Sequence, residues 1–174
     1  MRGASRRRDD GWRTRWLPPP WLRWRRDSSL DDVVATGIDS ASLLRIRRTV
    51  AEAAKRCGFS EDRVRDAVLV ASELVTNVIR HGGGRGRMWL RCEQGTLRFR
   101  VTDRGRGLAD PAQACRPPPD PMHASGRGLW MVQQLSQRVT ISTGRTGTTV
   151  TTVMSDNAVS APPRRVVRSE GAIG

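Results

Sequence analysis

The residue pattern predicts an α+β fold with helices on one face of a largely antiparallel sheet. Three observations predict it. Two stretches, Ser40 to Cys57 and Ser60 to about Arg80, carry apolar residues near the 3.6-residue period of a helix. Leu97, Phe99 and Val101 alternate with Arg98, Arg100 and Thr102, the two-residue period of a half-buried strand. The short Gln94-Gly95 turn joins that run to residues 87–93 before it, so the pair reads as a hairpin.

The elements follow in order. A weak strand covers residues 30–36. In the first helix Leu43, Leu44, Ile46, Val50, Ala53, Ala54 and Cys57 make the apolar stripe; Ser40 caps it and Gly58 ends it in the left-handed conformation. Asp62 complements the dipole of the second helix. Its buried side is Val64, Ala67, Val68, Ala71, Leu74, Val75, Val78 and Ile79, and His81 with Gly82-Gly83-Gly84 terminates it. The hairpin comes next. Residues 104–126 are rich in proline and glycine, and a connection this long in a compact domain is functional or mobile. A third helix runs from about Gly128 to Gln137, with Leu129, Met131, Val132 and Leu135 as its apolar positions. Strands at residues 139–141 and 148–154 close the domain around Gly144-Arg145-Thr146-Gly147.

The chain thus divides into a leader at 1–28, a domain at 29–154 and a tail at 155–174. The leader interleaves Trp12, Trp16, Trp21 and Trp24 with arginines and is broken by Pro18, Pro19 and Pro20. Such a segment reads as disordered, with contact to nucleic acid or an anionic membrane as the rival reading. The tail also reads as disordered.

Charge and cysteine usage exclude several classes. The 174 residues carry 31 Lys+Arg against 17 Asp+Glu, a net charge of +14, and Lys55 is the one lysine. Residues 1–30 hold nine arginines against three aspartates, so the excess is concentrated in the leader. Cys57, Cys92 and Cys115 are few, odd in number and far apart. That argues against a structural zinc site and against a disulfide framework, and favours a reducing compartment. No apolar run approaches the ~20 residues of a membrane span, and no signal-peptide core follows the basic start. The expectation is a cytoplasmic protein.

Three short motifs carry the chemistry. Glu73, Asn77 and His81 stand at i, i+4 and i+8, one face of the second helix, so a carboxylate, an amide and an imidazole share an otherwise apolar surface. A stripe of that kind needs a ligand, a metal or water to satisfy it, or else is a solvated face. Asp103-Arg104-Gly105-Arg106-Gly107 leaves a strand through glycines that let backbone approach a planar ligand. Gly126-Arg127-Gly128-Leu129 opens a helix, where backbone N–H groups cradle phosphate. No GxxxxGK[ST] P-loop exists. Gly82-Gly83-Gly84-Arg85-Gly86-Arg87 reads as a flexible turn into a strand.

Together, in this order, the motifs resemble the GHKL ATP-binding superfamily of gyrase, chaperone, histidine-kinase and mismatch-repair ATPase domains. More closely they resemble the bacterial anti-sigma-factor serine kinases. The matching stretches are Glu73-Leu74-Val75-Thr76-Asn77-Val78-Ile79-Arg80-His81-Gly82, Asp103 to Leu108, Ser125 to Leu129, and Gly147 to Val150. The resemblance covers residues 30–154 and implies the Bergerat fold, an α/β sandwich. It implies ATP and Mg²⁺ as cofactors, with Asn77 holding Mg²⁺ and Asp103 accepting a hydrogen bond from the adenine amine. Gly105 and Gly107 would pack near the adenine, and Thr148 or Thr149 would support it. Gly126, Arg127, Gly128 and Leu129 would lie at the phosphates under a lid of residues 109–125. Glu73 would be the general base, and His81 either joins the site or merely ends its helix.

The activity so implied is that of a serine/threonine protein kinase that phosphorylates a small antagonist and controls a sigma factor, acting as a dimer. The alternative is a non-catalytic, ATP-dependent protein-binding switch. Arg104 and Arg106 inside the adenine box depart from the usual composition. A sensor histidine kinase is not expected, since no phospho-acceptor hairpin precedes the domain, nor is a gyrase or chaperone, since no transducer domain follows.

Overall fold

The computed structural model describes residues 33–36, 38–39, 41–117, 127–156 and 164–169. The leader, Ser40, Gly126 and residues 118–125 lie outside these. The elements are β1 (Val33–Thr36), α1 (Ser42–Arg56), α2 (Glu61–His81), β2 (Gly86–Glu93), β3 (Thr96–Asp103), α3 (Pro111–Ala114), α4 (Gly128–Leu135), β4 (Arg138–Gly144), β5 (Gly147–Ser155) and β6 (Arg164–Ser169). The six strands form one sheet in the order β1-β2-β3-β5-β4-β6. All pairings are antiparallel except β4 with β6. The α+β sandwich is therefore as expected.

One sheet face is apolar and carries the helices. Met88 and Leu90, Leu97, Phe99 and Val101, Val139 and Ile141, and Val150 and Met154 point into it at every second position. Ile46, Val50, Ala53 and Ala54 from α1, Leu74, Val75 and Val78 from α2, and Leu129 and Val132 from α4 fill the other side. Each fully buried side chain of this size contributes roughly 1.5–3 kcal/mol. The opposite sheet face is rich in arginine. There Trp89 and Arg100 are cross-strand partners, and the Arg100 guanidinium lies 5.5 Å from the indole centroid.

Several expectations need correction. The tail holds strand β6, whose backbone pairs in parallel with β4. The run Arg164-Arg165-Val166-Val167-Arg168-Ser169 is short and charged, and only an adjacent open sheet edge makes it a strand. Leu44 is 70% exposed, because it lies about 160° around the helix from the stripe through Ile46, Val50 and Ala53. The start of α1 is held by a reciprocal pair. Ser42 N–H donates to Asp39 Oδ1 at 2.7 Å, and Asp39 N–H donates to Ser42 Oγ at 3.0 Å. Val68 and Ile79 are only partly buried, whereas Val70 is fully buried. The proline-rich connection contains the one-turn helix α3, capped by Asp110, which accepts from Ala112 N–H and Gln113 N–H.

The cysteine expectation fails. Cys57 and Cys92 form a disulfide across 35 positions, with Cα atoms 5.7 Å apart. Gly58, at φ +82°, turns the chain after α1, and this corner lies over the β2–β3 turn, where the carbonyl of Cys57 approaches Gly95. The fold thus brings the two thiols together, and sequence spacing held no sign of it. The spacing consequently gives no argument for a reducing compartment. Cys115 is buried and takes no part in the bridge.

Two polar clamps position α2. Arg63, 9% exposed, donates to the Ser155 carbonyl from Nε and Nη2 and to the Leu135 carbonyl from Nη1. It also pairs with Asp66 at 2.9 Å. The Leu135 carbonyl belongs to the last turn of α4 and has no helical partner, so Arg63 ties the end of α4 to α2 and β5. At the start of α2, Ser60 donates to Asp156 Oδ1 from both N–H and Oγ, each at 2.8 Å. The backbone bond first and the hydroxyl bond second hold the Asp156 carboxyl below its ordinary range, with Arg63 adding to them. A lowered folded pKa means that this contribution is complete above the ordinary carboxylate value of ~3.9 and is lost as pH falls through the folded value. Hydrogen exchange at the Ser60 amide, corrected for intrinsic rate, is expected to lose protection in that acid range. In Asp156→Asn it should be pH-independent.

Candidate functional site

Helix α2 sets the layout. Its C-terminal residue His81 is followed by Gly82, where a Cβ would stand 2.6 Å from Asp103 Cβ, so the end of the helix lies directly on the Asp103 side chain. Asn77 is five residues back from Gly82 and Glu73 nine, roughly 7–8 Å and 13–14 Å along the helix axis. The polar positions therefore form a line: Asp103 at one end, Asn77 between, Glu73 at the other.

The N-terminus of α4 meets the Glu73 end. A Cβ at Gly128 would stand 2.8 Å from Glu73 Oε2 and 3.5 Å from both Oδ1 and Nδ2 of Asn77. Glycine lets the first turn of α4 lie on the carboxylate and the amide. Arg127 immediately precedes that turn, and its carbonyl accepts from Met131 N–H at 2.8 Å. The Arg127 Nε and Nη2 are buried without a hydrogen-bond partner. Buried cationic donors left open beside the positive end of a helix suit an anion with several acceptor oxygens. Leu129 is buried in the core, so its backbone and not its side chain faces that end.

At the other end, Asp103 Oδ1 accepts from Gly105 N–H at 2.8 Å and from Thr148 N–H at 3.1 Å. No described donor reaches its second oxygen. The carboxylate is therefore held by one oxygen and offers the other. The glycines of this loop have a different task from the one expected. A Cβ at Gly105 would meet the His81 carbonyl at 2.2 Å, and one at Gly107, where φ is +77°, would meet the Gly144 carbonyl at 2.3 Å. They admit neighbouring backbone, and so pin the loop between the end of α2 and the β4–β5 turn. Gly147 does the same against the Asp103 carbonyl, at 2.1 Å with φ +131°.

Thr148 and Thr149 occupy opposite faces of β5. Thr148 is buried on the helix side beside Asp103, and Thr149 lies on the far side, paired with Thr102 and Ser142. Thr149 is thus kept from the Asp103 loop by the two-residue period of its strand. His81 contributes its carbonyl, while its side chain is exposed. Sequence reasoning missed Thr143. Its Oγ accepts from Leu108 N–H at 2.8 Å and lies 3.1 Å from Thr148 Oγ. Its place one residue before the Gly144 turn was the available signal.

Among the described residues no group of three His, Cys, Asp or Glu could hold a metal ion. A divalent cation at Asn77 would need phosphate oxygens and water for its remaining ligands, as hard cations at phosphate sites commonly do. The donor set fits a nucleoside triphosphate. It has an open carboxylate oxygen for an amine, a glycine-lined helix start with orphaned guanidinium nitrogens for phosphate, and an amide between them.

The family model for the histidine kinase-like ATPase domain matches residues 38–154. Among solved structures, the RsbU and RsbW domains of Rv1364c from Mycobacterium tuberculosis superpose with a TM-score of 0.54 at 22% identity. That likeness covers 80% of this chain and 35% of the other, so the chain spans about a third of that protein's length. It shows the fold. The histidine kinase domain of the Erythrobacter litoralis EL346 blue-light activated histidine kinase gives a TM-score of 0.44 at 23% identity, over 70% of this chain and 65% of that one. No curated protein matches.

Proposed function

The chain belongs to the histidine kinase-like ATPase domain family, and from that premise we propose that it is an ATP-binding regulatory kinase of the anti-sigma type. It would transfer the γ-phosphoryl group to a serine or threonine of a small antagonist protein and thereby control a sigma factor. The partners on this reading are the sigma factor, the antagonist and a second copy of the chain, and the compartment is the cytoplasm. The resemblance of residues 73–82 and 103–108 to the anti-sigma serine kinases supports it.

One observation carries the reading: the start of α4 rests on Glu73 and Asn77, with the open Arg127 nitrogens beside them. The second oxygen of Asp103 accepts from the adenine amine, and Thr148 supports that end. Asn77 Oδ1 holds Mg²⁺, which when bound neutralises phosphate charge. Arg127 and the N–H groups of Gly128 and Leu129 orient the phosphates, with Gly126 as part of the same turn. Glu73 Oε2, at the far end of the line, takes the proton from the attacking hydroxyl. Positioning and charge compensation supply most of the acceleration in such reactions.

The test pairs calorimetric ATP binding with transfer of labelled γ-phosphate to small antagonist proteins carrying a candidate serine. Glu73→Gln is expected to keep ATP affinity within about threefold and to lower transfer by 10²-fold or more, the usual worth of a positioned general base. ATP binding with no transfer to any antagonist would overturn the kinase and leave an ATP-dependent binding switch.

A further inference from the structure

The geometry points to Thr143 as the residue that sets the hydrogen-bond polarity of the base end of the nucleotide site and so makes it selective for adenine. This inference rests on the nucleotide-site reading above. The observation behind it is a buried chain of three groups that runs in one direction.

Leu108 N–H donates to Thr143 Oγ at 2.8 Å, and Thr143 Oγ lies 3.1 Å from Thr148 Oγ. Thr143 is 4% exposed and Thr148 8%. A hydroxyl has one proton to give, and buried hydroxyls are satisfied almost without exception. One proton lies between the two threonines, and either could supply it. If Thr148 supplied it, the Thr143 proton would need a second acceptor, and no described group offers one. If Thr143 supplies it, every bond is made. The Leu108 N–H gives to Thr143, Thr143 gives to Thr148, and the Thr148 proton is the one left to turn outward.

The consequence lies beside Asp103. The Thr148 N–H donates to Asp103 Oδ1, so the threonine and the carboxylate are adjacent. The second carboxylate oxygen can only accept. Thr148, fed from behind by Thr143, donates. An acceptor next to a donor complements the edge of adenine, which carries an amine donor next to an unprotonated ring nitrogen. Hypoxanthine and guanine carry the reverse, a carbonyl next to a ring N–H. They would face the carboxylate with an acceptor and the hydroxyl with a donor, whether directly or through one water.

Thr143 is therefore a positioning residue. It acts through Thr148, and the backbone N–H of Leu108 at the other end of the Asp103 loop fixes its direction. The loop and its selectivity are held by the same hydroxyl.

The experiment measures ATP and ITP affinities by calorimetry for the full chain and for Thr143→Ser and Thr143→Val. ITP carries the reversed edge without the extra amino group of guanine. Wild type and Thr143→Ser are expected to prefer ATP to a similar degree. Thr143→Val keeps the shape, removes the relay and leaves Thr148 able to accept as well as donate. Its ATP-to-ITP preference is expected to fall about tenfold, the scale of one hydrogen bond. A thermal melt of each variant accompanies the titrations, and a merely structural role would lower the melting temperature without changing the ratio. An unchanged ratio in Thr143→Val, or an equal fall in Thr143→Ser, would overturn the inference while leaving the nucleotide site intact. Absence of ATP binding in wild type would remove the nucleotide site itself and the inference with it.

Discussion

Asp103→Asn is expected to leave the domain folded and to weaken ATP binding by roughly a hundredfold, about 3 kcal/mol. The carboxylate is used on both sides. Its Oδ1 takes the N–H groups of Gly105 and Thr148, which ties the loop to β5. Its other oxygen has no described donor. Asparagine has one oxygen, and the two buried N–H groups claim it. The amide nitrogen then replaces the open oxygen and presents donors to an amine that is itself a donor. Flipping the amide rescues the ligand contact only by stranding Gly105 N–H and Thr148 N–H, at about 1–3 kcal/mol for each buried group. Calorimetry beside a thermal melt separates the two costs. An unchanged affinity would mean that the nucleotide base does not lie at Asp103.

Reducing the Cys57–Cys92 disulfide is expected to have the largest effect on stability. The bond joins residues 35 positions apart and encloses all of α2 in the loop. Loop-closure entropy for a loop of that size corresponds to about 3–4 kcal/mol. For a domain of this length that lowers the melting temperature by roughly 10 °C or more. The bridge fastens the α1–α2 corner at the start of α2, about 24 Å along the helix from Asn77. The effect should therefore fall on stability far more than on nucleotide affinity. Melting the protein with and without dithiothreitol tests this. The Cys57→Ser/Cys92→Ser double variant should match the reduced protein and ignore the reductant. A wild-type midpoint indifferent to dithiothreitol would mean that the two thiols do not bridge in solution.

The alternation of Leu97, Phe99 and Val101 and the helical stripes around Val50 and Leu74 made the sandwich legible, because side-chain direction in regular elements is periodic. Glu73 and Asn77 were legible as neighbours for the same reason: four residues make about one turn. Strand β6 was not legible. Its residues form a strand only because β4 offers an unpaired edge.

The same division holds at the site. The residue types that populate it, Glu73, Asn77, Asp103 and the glycines, could be picked out from local spacing. The purpose of the glycines could not, since the His81 and Gly144 carbonyls that crowd Gly105 and Gly107 come from other elements. Nor could the sequence choose between Thr148 and Thr149, because the face that a strand turns to the core depends on its partners. Thr143 and the Cys57–Cys92 bridge lay wholly beyond it. By itself, then, the sequence determined the periodic elements and the chemical groups this protein places along α2. The tertiary structure decided which groups meet and which hydroxyl gives its proton to which. Those are relations between segments distant in sequence, and only the packing of helices on the sheet brings them within bonding distance.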